Sequence, residues 1–214
     1  MSDQLAAGVA ARLSRYLQVA TQARRMGKRR LSSKEIGAYA AINATQVRRD
    51  LSAFGRFGKR GVGYQLDLLL AELRTILGLG GPYKIALVGG DGLGAALANS
   101  TLLREHGFEI AAVFEPNNDR VGKALGATVV RDYGEMQKVV RAQGMIAAVL
   151  TGPAEAAQRA SDDLAAAGVQ LIFNYTEALL EAPQGVLVHT YNPAGELLTG
   201  LHAYLARQPS QREA

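Results

Sequence analysis

The sequence predicts an α/β protein built from two unlike modules: a small helical one carrying a β-hairpin, then a parallel-sheet one. Three observations predict this. The first 64 residues hold 13 Lys and Arg against three acids, a net +10, whereas the remainder holds 11 bases against 16 acids, a net −5. Glycines 78, 80 and 81 followed by Pro82 stop a helix and mark a boundary. Beyond that boundary short apolar runs alternate with Ala/Leu-rich helical stretches, which is how a parallel sheet with crossover helices reads.

In the first module, apolar residues recur at helical spacing from about Gly8 to Met26 (Val9, Leu13, Tyr16, Leu17, Ala20). "LSSKEIGAYAAI" begins a second helix, capped by Ser32 or Ser33, with Glu35 placed for a capping box with Ser32. In "NATQVRRDLSAFG" Asn43 or Thr45 caps a third helix, with Val47 and Leu51 on one face and Arg48, Arg49 and Ser52 on others. Two short helices joined by a tight turn, the second one basic, make a helix-turn-helix. "GRFGKRGVGYQ" then reads as a glycine-punctuated wing carrying Arg56, Lys59 and Arg60, whose tip suits a narrow, electronegative minor groove. Charge alone also fits a well-solvated basic surface, and glycines alone a loose loop. "LDLLLAELRTILGLG" closes the module as an amphipathic helix.

In the second module "KIALVG" reads as a strand, "LGAALANSTLLREHG" as its helix, and "FEIAAVFE" as a strand ending in Glu115. "ATVVRD", "MIAAVLTG", "VQLIFNY" and "GVLVHTY" are further strands, and "PAEAAQRASDDLAAAG" is a helix with Pro153 at its first turn. After Pro193 a terminal helix presents Leu197, Leu198, Leu201, Tyr204 and Leu205 on one side. The expected domains are 1–80, 81–192 and 193–214.

Composition narrows the chemistry. There is no cysteine, so disulfide and thiolate chemistry are excluded and a reducing compartment is natural. The three histidines, His106, His189 and His202, are far apart, which argues against a metal cluster or a His-based triad. No apolar run approaches about 18 residues, so no membrane span is expected and the cytoplasm is the expected location.

The stretch "TQVRRDLSAFGRFGKRGVGY" resembles the signature of the Rex redox-sensing transcriptional repressors, and "VGGDGLGAAL", "TGPAEAAQRA", "AAAGV" and "FNY" follow in that family's order. The resemblance spans nearly the whole chain. It implies a winged-helix DNA-binding domain, a Rossmann-like parallel-sheet domain, and a C-terminal, domain-swapped helix that joins a homodimer. It also implies an inverted-repeat operator as partner and NADH/NAD+ as a regulatory ligand, with NADH releasing the protein from DNA. On this basis Arg48 and Arg49 meet the major groove, where an arginine fork can take guanine or phosphate bidentately. Gln46 and Ser52 add groove or phosphate contacts, and Arg56, Lys59 and Arg60 belong to the wing. Asp50 is expected either to orient the arginines or to be a buried structural group.

The dinucleotide loop of the second module comprises Gly89, Gly90, Asp91, Gly92, Leu93 and Gly94, with Glu115 as the expected ribose acceptor about 20 residues on. Two glycine registers compete. In the first, Gly89 and Gly94 frame the loop and Asp91 stands where a glycine normally lets the backbone approach the pyrophosphate. In the second, Gly90, Gly92 and Ala95 play the three parts. Two unit charges about 4 Å apart at an effective dielectric near 20 repel by roughly 4 kcal/mol. In the first register Asp91 therefore weakens binding, unless it turns outward or caps the helix. Ser100, Glu177 and Asn192 also depart from the family pattern, Ser100 and Asn192 at or near positions that the resemblance ties to nicotinamide coupling.

Three function classes follow: a repressor with a dinucleotide sensor, a repressor whose second module only dimerises, and a small NAD- or CoA-binding enzyme with a basic appendage. The enzyme needs a placed proton-transfer group. Neither a Tyr-x-x-x-Lys pair nor a His/Asp pair from neighbouring strand ends is present, so no catalytic residue and no enzyme is expected.

Overall fold

The basic module is held by one apolar stripe after another. The computed structural model describes residues 6–55, 58–59, 62–115 and 118–206, and its chain separates into two compact units. Unit one is Met1–Pro82 with Glu105–Gly107, and unit two is the rest. Helix α1 (Ala7–Arg25) turns Leu13, Tyr16, Leu17, Ala20 and Ala23 into the core. Helix α2 (Ser33–Ala40) starts at the expected capping box: Ser32 Oγ accepts from Glu35 N at 3.2 Å and Ser32 N donates to Glu35 Oε2 at 2.8 Å. Lys28 and these Ser32 bonds hold the Glu35 carboxyl down at about 2. Asn43, not Thr45, caps α3 (Ala44–Ser52), its Oδ1 accepting from Thr45 N at 2.7 Å.

The turn between α2 and α3 is set by two residues. Ala41 adopts the left-handed conformation at φ 54°. Gly37 lies so close to the turn that a Cβ there would stand 2.3 Å from Ile42 O. A glycine is therefore required for α3 to cross over α2 at this distance. Strands β1 (Arg30–Leu31), β2 (Gly58–Lys59) and β3 (Gly63–Gln65) form an antiparallel sheet of order β1-β3-β2, the base of the expected wing. Helix α4 (Leu66–Ile76) buries Leu66, Leu69, Leu70 and Leu73.

Unit two is a seven-stranded sheet. Its strands are β4 (Tyr83–Val88), β5 (Phe108–Glu115), β6 (Ala124–Leu125), β7 (Thr128–Asp132), β8 (Ala147–Leu150), β9 (Leu171–Asn174) and β10 (Leu187–Thr190). Their order is β10-β9-β8-β4-β5-β7-β6, and all pair in parallel except β6 with β7. The central strand is buried on both faces, Ile85 and Leu87 in one core and Ala86 and Val88 in the other, so it reads as a continuous apolar run. The chain leaves β4 toward β5 on one side and returns through β8 on the other. That reversal is the switch point at which open α/β sheets bind ligands.

Two readings need correction. The helix expected over 93–107 is two helices, α5 (Gly92–Ala98) and α6 (Thr101–Glu105), broken at Asn99 and Ser100. Asn99 Nδ2 donates back to Ala95 O at 2.8 Å and Ser100 N to Leu97 O at 3.0 Å, the local side-chain and tight-turn bonding that ends helices. Helix α7 (Met136–Gln143) was not anticipated; it buries only Met136 and Val140 and stops at Gly144, φ 60°. Helix α8 (Ala154–Ala166) follows Pro153, which sits one residue before its first turn, and packs Ala157, Ala160, Ser161 and Leu164 inward.

Helix α9 (Pro193–Leu205) is capped by Asn192, whose Oδ1 accepts from Ala194 N at 3.0 Å and Gly195 N at 3.3 Å. Its apolar side is open: Leu197, Leu198, Leu201, Tyr204 and Leu205 are 53–75% exposed. Among the described residues no helix is long and apolar enough to cross a membrane, and no group of three acids or histidines gathers as a metal site would.

Candidate DNA-reading helix and dinucleotide loop

Helix α3 is pinned from below and open above. Asp50 is buried and accepts four bonds: from Arg12 Nε at 2.7 Å, Arg12 Nη2 at 2.9 Å, Tyr16 OH at 2.8 Å and Gln46 Nε2 at 2.7 Å. It is thus the structural group of the two expectations, and it binds Arg12 of α1 rather than orienting Arg48 or Arg49. The Arg12 guanidinium holds the Asp50 carboxyl down at about 2, well below the ordinary carboxylate, against the opposing effect of burial. Gln46 is half-buried and committed to this network.

Arg48 and Arg49 project from the exposed side of α3. Arg48 is steadied by Thr45 Oγ1 at 2.9 Å and Ser33 Oγ at 3.2 Å, and Ser52 Oγ donates to Arg49 O at 3.0 Å. Lys59 lies on β2 beside Gly63; Arg56 and Arg60 lie outside the described residues.

In unit two the loop after β4 settles the glycine register. Gly89 has φ 100°, and a Cβ on it would meet Gly152 N at 2.5 Å, so the loops after β4 and β8 touch through bare backbone. A Cβ on Gly94 would stand 1.9 Å from Gly89 O, so only glycine lets α5 close onto the strand. Gly89 makes the tight turn and Gly94 the close helix–strand approach, the outer two parts of the dinucleotide fingerprint. This is the first register, with Asp91 in the middle position. Thr151 Oγ1 donates to Gly89 O at 2.7 Å and fixes the turn from β8.

Asp91 occupies the N-cap position of α5 without making a side-chain cap bond. Its carboxylate turns outward, 82% exposed, and pairs with Arg120 of a 3₁₀ turn following β5. Glu115 is buried at the end of β5 and accepts from Gly90 N, so the expected ribose acceptor stands against the loop itself. Gly92 and Leu93 are exposed at the start of α5. Beside Gly89 a mostly apolar cavity of about 80 Å³ opens between the β4 and β8 ends and α8, lined by Tyr133, Gly152, Pro153, Ala156 and Thr176. Tyr133 OH donates to Asp163 Oδ2 at 2.8 Å, and burial pushes its phenol up.

Sequence reasoning missed Thr151, Arg120 and Tyr133. For Thr151 a signal existed, since it follows a buried strand directly at the switch point. Arg120 and Tyr133 gave none, because their roles arise from turns that no periodicity announces.

Comparison with known proteins decides the family. The redox-sensing transcriptional repressor Rex of Rubrobacter xylanophilus is 41% identical over 214 residues, covering 100% of this chain and 99% of the relative. The chain belongs to the Rex family of redox-sensing transcriptional repressors. The Rex repressor of Streptomyces coelicolor is 35% identical over 87% of this chain and 72% of its own. Family models described as "Putative DNA-binding protein N-terminus" and "CoA binding domain" match residues 4–52 and 81–178. Two crystal structures of RSP align along nearly the whole chain. The complex with beta-NAD+ and operator DNA has TM-score 0.76 at 28% identity and covers 96% of this chain and 99% of RSP. The complex with beta-NADH has TM-score 0.78 at 27% identity and covers 95% of each chain. Rex-family relatives are repressors, and this chain, as one of them, is a regulator rather than an enzyme.

Proposed function

We propose that this chain is a homodimeric, cytoplasmic repressor that reads an inverted-repeat operator with α3 and the wing and senses NADH/NAD+ at the β4–β8 switch point. The observation that carries the reading is α3. Its one acid is buried and fully engaged, while Arg48 and Arg49 stand out on the opposite side. A short basic helix held in this way offers two forks to a major groove. A dimer would place two such helices on two half-sites, and the bare apolar side of α9 is the natural surface for a partner subunit. Lys59, with Arg56 and Arg60, would hold the wing to the backbone or minor groove. Gly89, Gly90, Gly92, Leu93 and Gly94 would receive the dinucleotide diphosphate, and Glu115 its ribose.

The test is titration of inverted-repeat and random duplexes across salt. Arg48→Ala or Arg49→Ala should abolish discrimination between them. Lys59→Ala should weaken both and reduce the salt slope by about one. Equal affinity of the wild type for all duplexes at physiological salt would overturn the reading. One observation favours a second reading, in which unit two mainly dimerises: the loop's middle position holds a carboxylate, Asp91.

A further inference from the structure

We propose that Arg120 is the counter-charge that lets the phosphate loop of this chain take a dinucleotide diphosphate despite Asp91. The inference rests on the reading of the β4–β8 switch point as a dinucleotide site. Gly89 and Gly94 fix the register, and the middle position between them is where a ligand's diphosphate comes closest to backbone. A lone carboxylate there opposes the ligand by direct repulsion. Here the carboxylate is not alone, because Asp91 pairs with Arg120.

Three features make this pairing more than a chance surface contact. Arg120 comes from the turn beyond β5, so the two charges are brought together by the sheet and not by neighbouring sequence. Arg120 is 30% exposed and Asp91 82%, so the cation is the more buried member of the pair. The Arg120 Nη1 atom is itself buried, has no hydrogen-bond partner among the described residues, and stands in ion-pair contact with Asp91. Its charge is directed at Asp91. A paired acid presents a dipole instead of a net charge to an incoming anion, and the pair's field falls off much faster than that of the acid alone. Arg120 thereby acts as a positioning residue, working through Asp91 and not on the ligand.

The consequence is a specific coupling. Removing Arg120 should harm NADH binding only while Asp91 is charged. An exposed unit charge about 4 Å from a phosphate, at near-water dielectric, corresponds to roughly a five- to tenfold change in affinity. Calorimetric titration with NADH of the wild type, Arg120→Gln, Asp91→Asn and the double variant measures it. Arg120→Gln should weaken binding roughly five- to tenfold, and the same change on Asp91→Asn should move it less than about twofold, within the ordinary additivity error. Arg120→Lys, which keeps the charge, should bind about as wild type does. The coupling should also shrink at high salt, which a purely structural role of Arg120 would not do.

Equal loss on both backgrounds would overturn the inference, since Arg120 would then touch the ligand or support the fold. So would no loss on either background. If none of the four proteins binds NADH, the dinucleotide reading itself fails and this inference falls with it.

Discussion

Replacing Asp50 by alanine tests whether α3 is positioned by a buried charge rather than by its apolar face. Four hydrogen bonds converge on this carboxylate, two from Arg12 and one each from Tyr16 and Gln46. Without it, Arg12 can hydrate, since its side chain is 31% exposed, and Gln46 can turn outward. Tyr16 cannot, because it is fully buried and its hydroxyl is left without an acceptor. An unsatisfied buried hydroxyl costs about 1–3 kcal/mol, and breaking a buried pair about 3–5. Partial exposure of Arg12 favours the low end, about 3 kcal/mol in all, or roughly 15 °C in melting temperature for a unit of this size.

The pH dependence provides a second scale. The Asp50 carboxyl is lowered from 3.8 to about 2, so its contribution is present above pH 4 and lost as pH falls through 2. That linkage amounts to about 2 kcal/mol. Circular dichroism melts of the full chain between pH 2 and 7 should show a lower melting temperature for Asp50→Ala. They should also show a weaker acid sensitivity, because one of the carboxyls held low in unit one would then be gone. Operator affinity should fall although the Asp50 carboxylate is buried and bonded within the unit. A loss below about 1 kcal/mol with an unchanged acid profile would refute the reasoning.

Two further outcomes are expected. Ala41→Gly should stabilise the chain by about 0.5–1 kcal/mol in urea denaturation, because Ala41 holds φ 54° on an exposed turn and glycine adopts that conformation without strain; a lower midpoint would contradict this. Deleting residues 194–214 should give monomers with poor operator affinity, because Leu197, Leu198 and Leu201 lie exposed on α9; a truncated protein that still sediments as a dimer would argue against a role for α9 in assembly.

Much of this was legible in the sequence because it is local chemistry. Ser32 and Glu35 announce a helix start through their own spacing, and the glycine cluster from 89 to 94 announces the strand-to-helix turn. Alternation between strand and helix was enough to foresee a parallel sheet, since the apolar runs of β4 and β8 are buried on both faces. What was not legible depends on long-range partners. Asp50 lies in a basic run and invites pairing with Arg48 or Arg49, but helix geometry points it inward, to Arg12 from 38 residues away. The same holds for Asp91, whose repulsive charge is met by Arg120 from a turn that leaves no pattern. Helix α7 escaped because its buried side is only Met136 and Val140, too few apolar positions for a period.

If the proposed function holds, occupation of the Gly89–Gly94 loop controls operator binding by α3. The direct measurement is fluorescence anisotropy of an inverted-repeat operator fragment bound to the purified full chain, titrated with NADH and, separately, with NAD+. NADH should release the DNA at concentrations where NAD+ does not, and Glu115→Ala should shift the release to higher NADH. DNA that stays bound at saturating NADH, with calorimetry confirming that the ligand is bound, would contradict it.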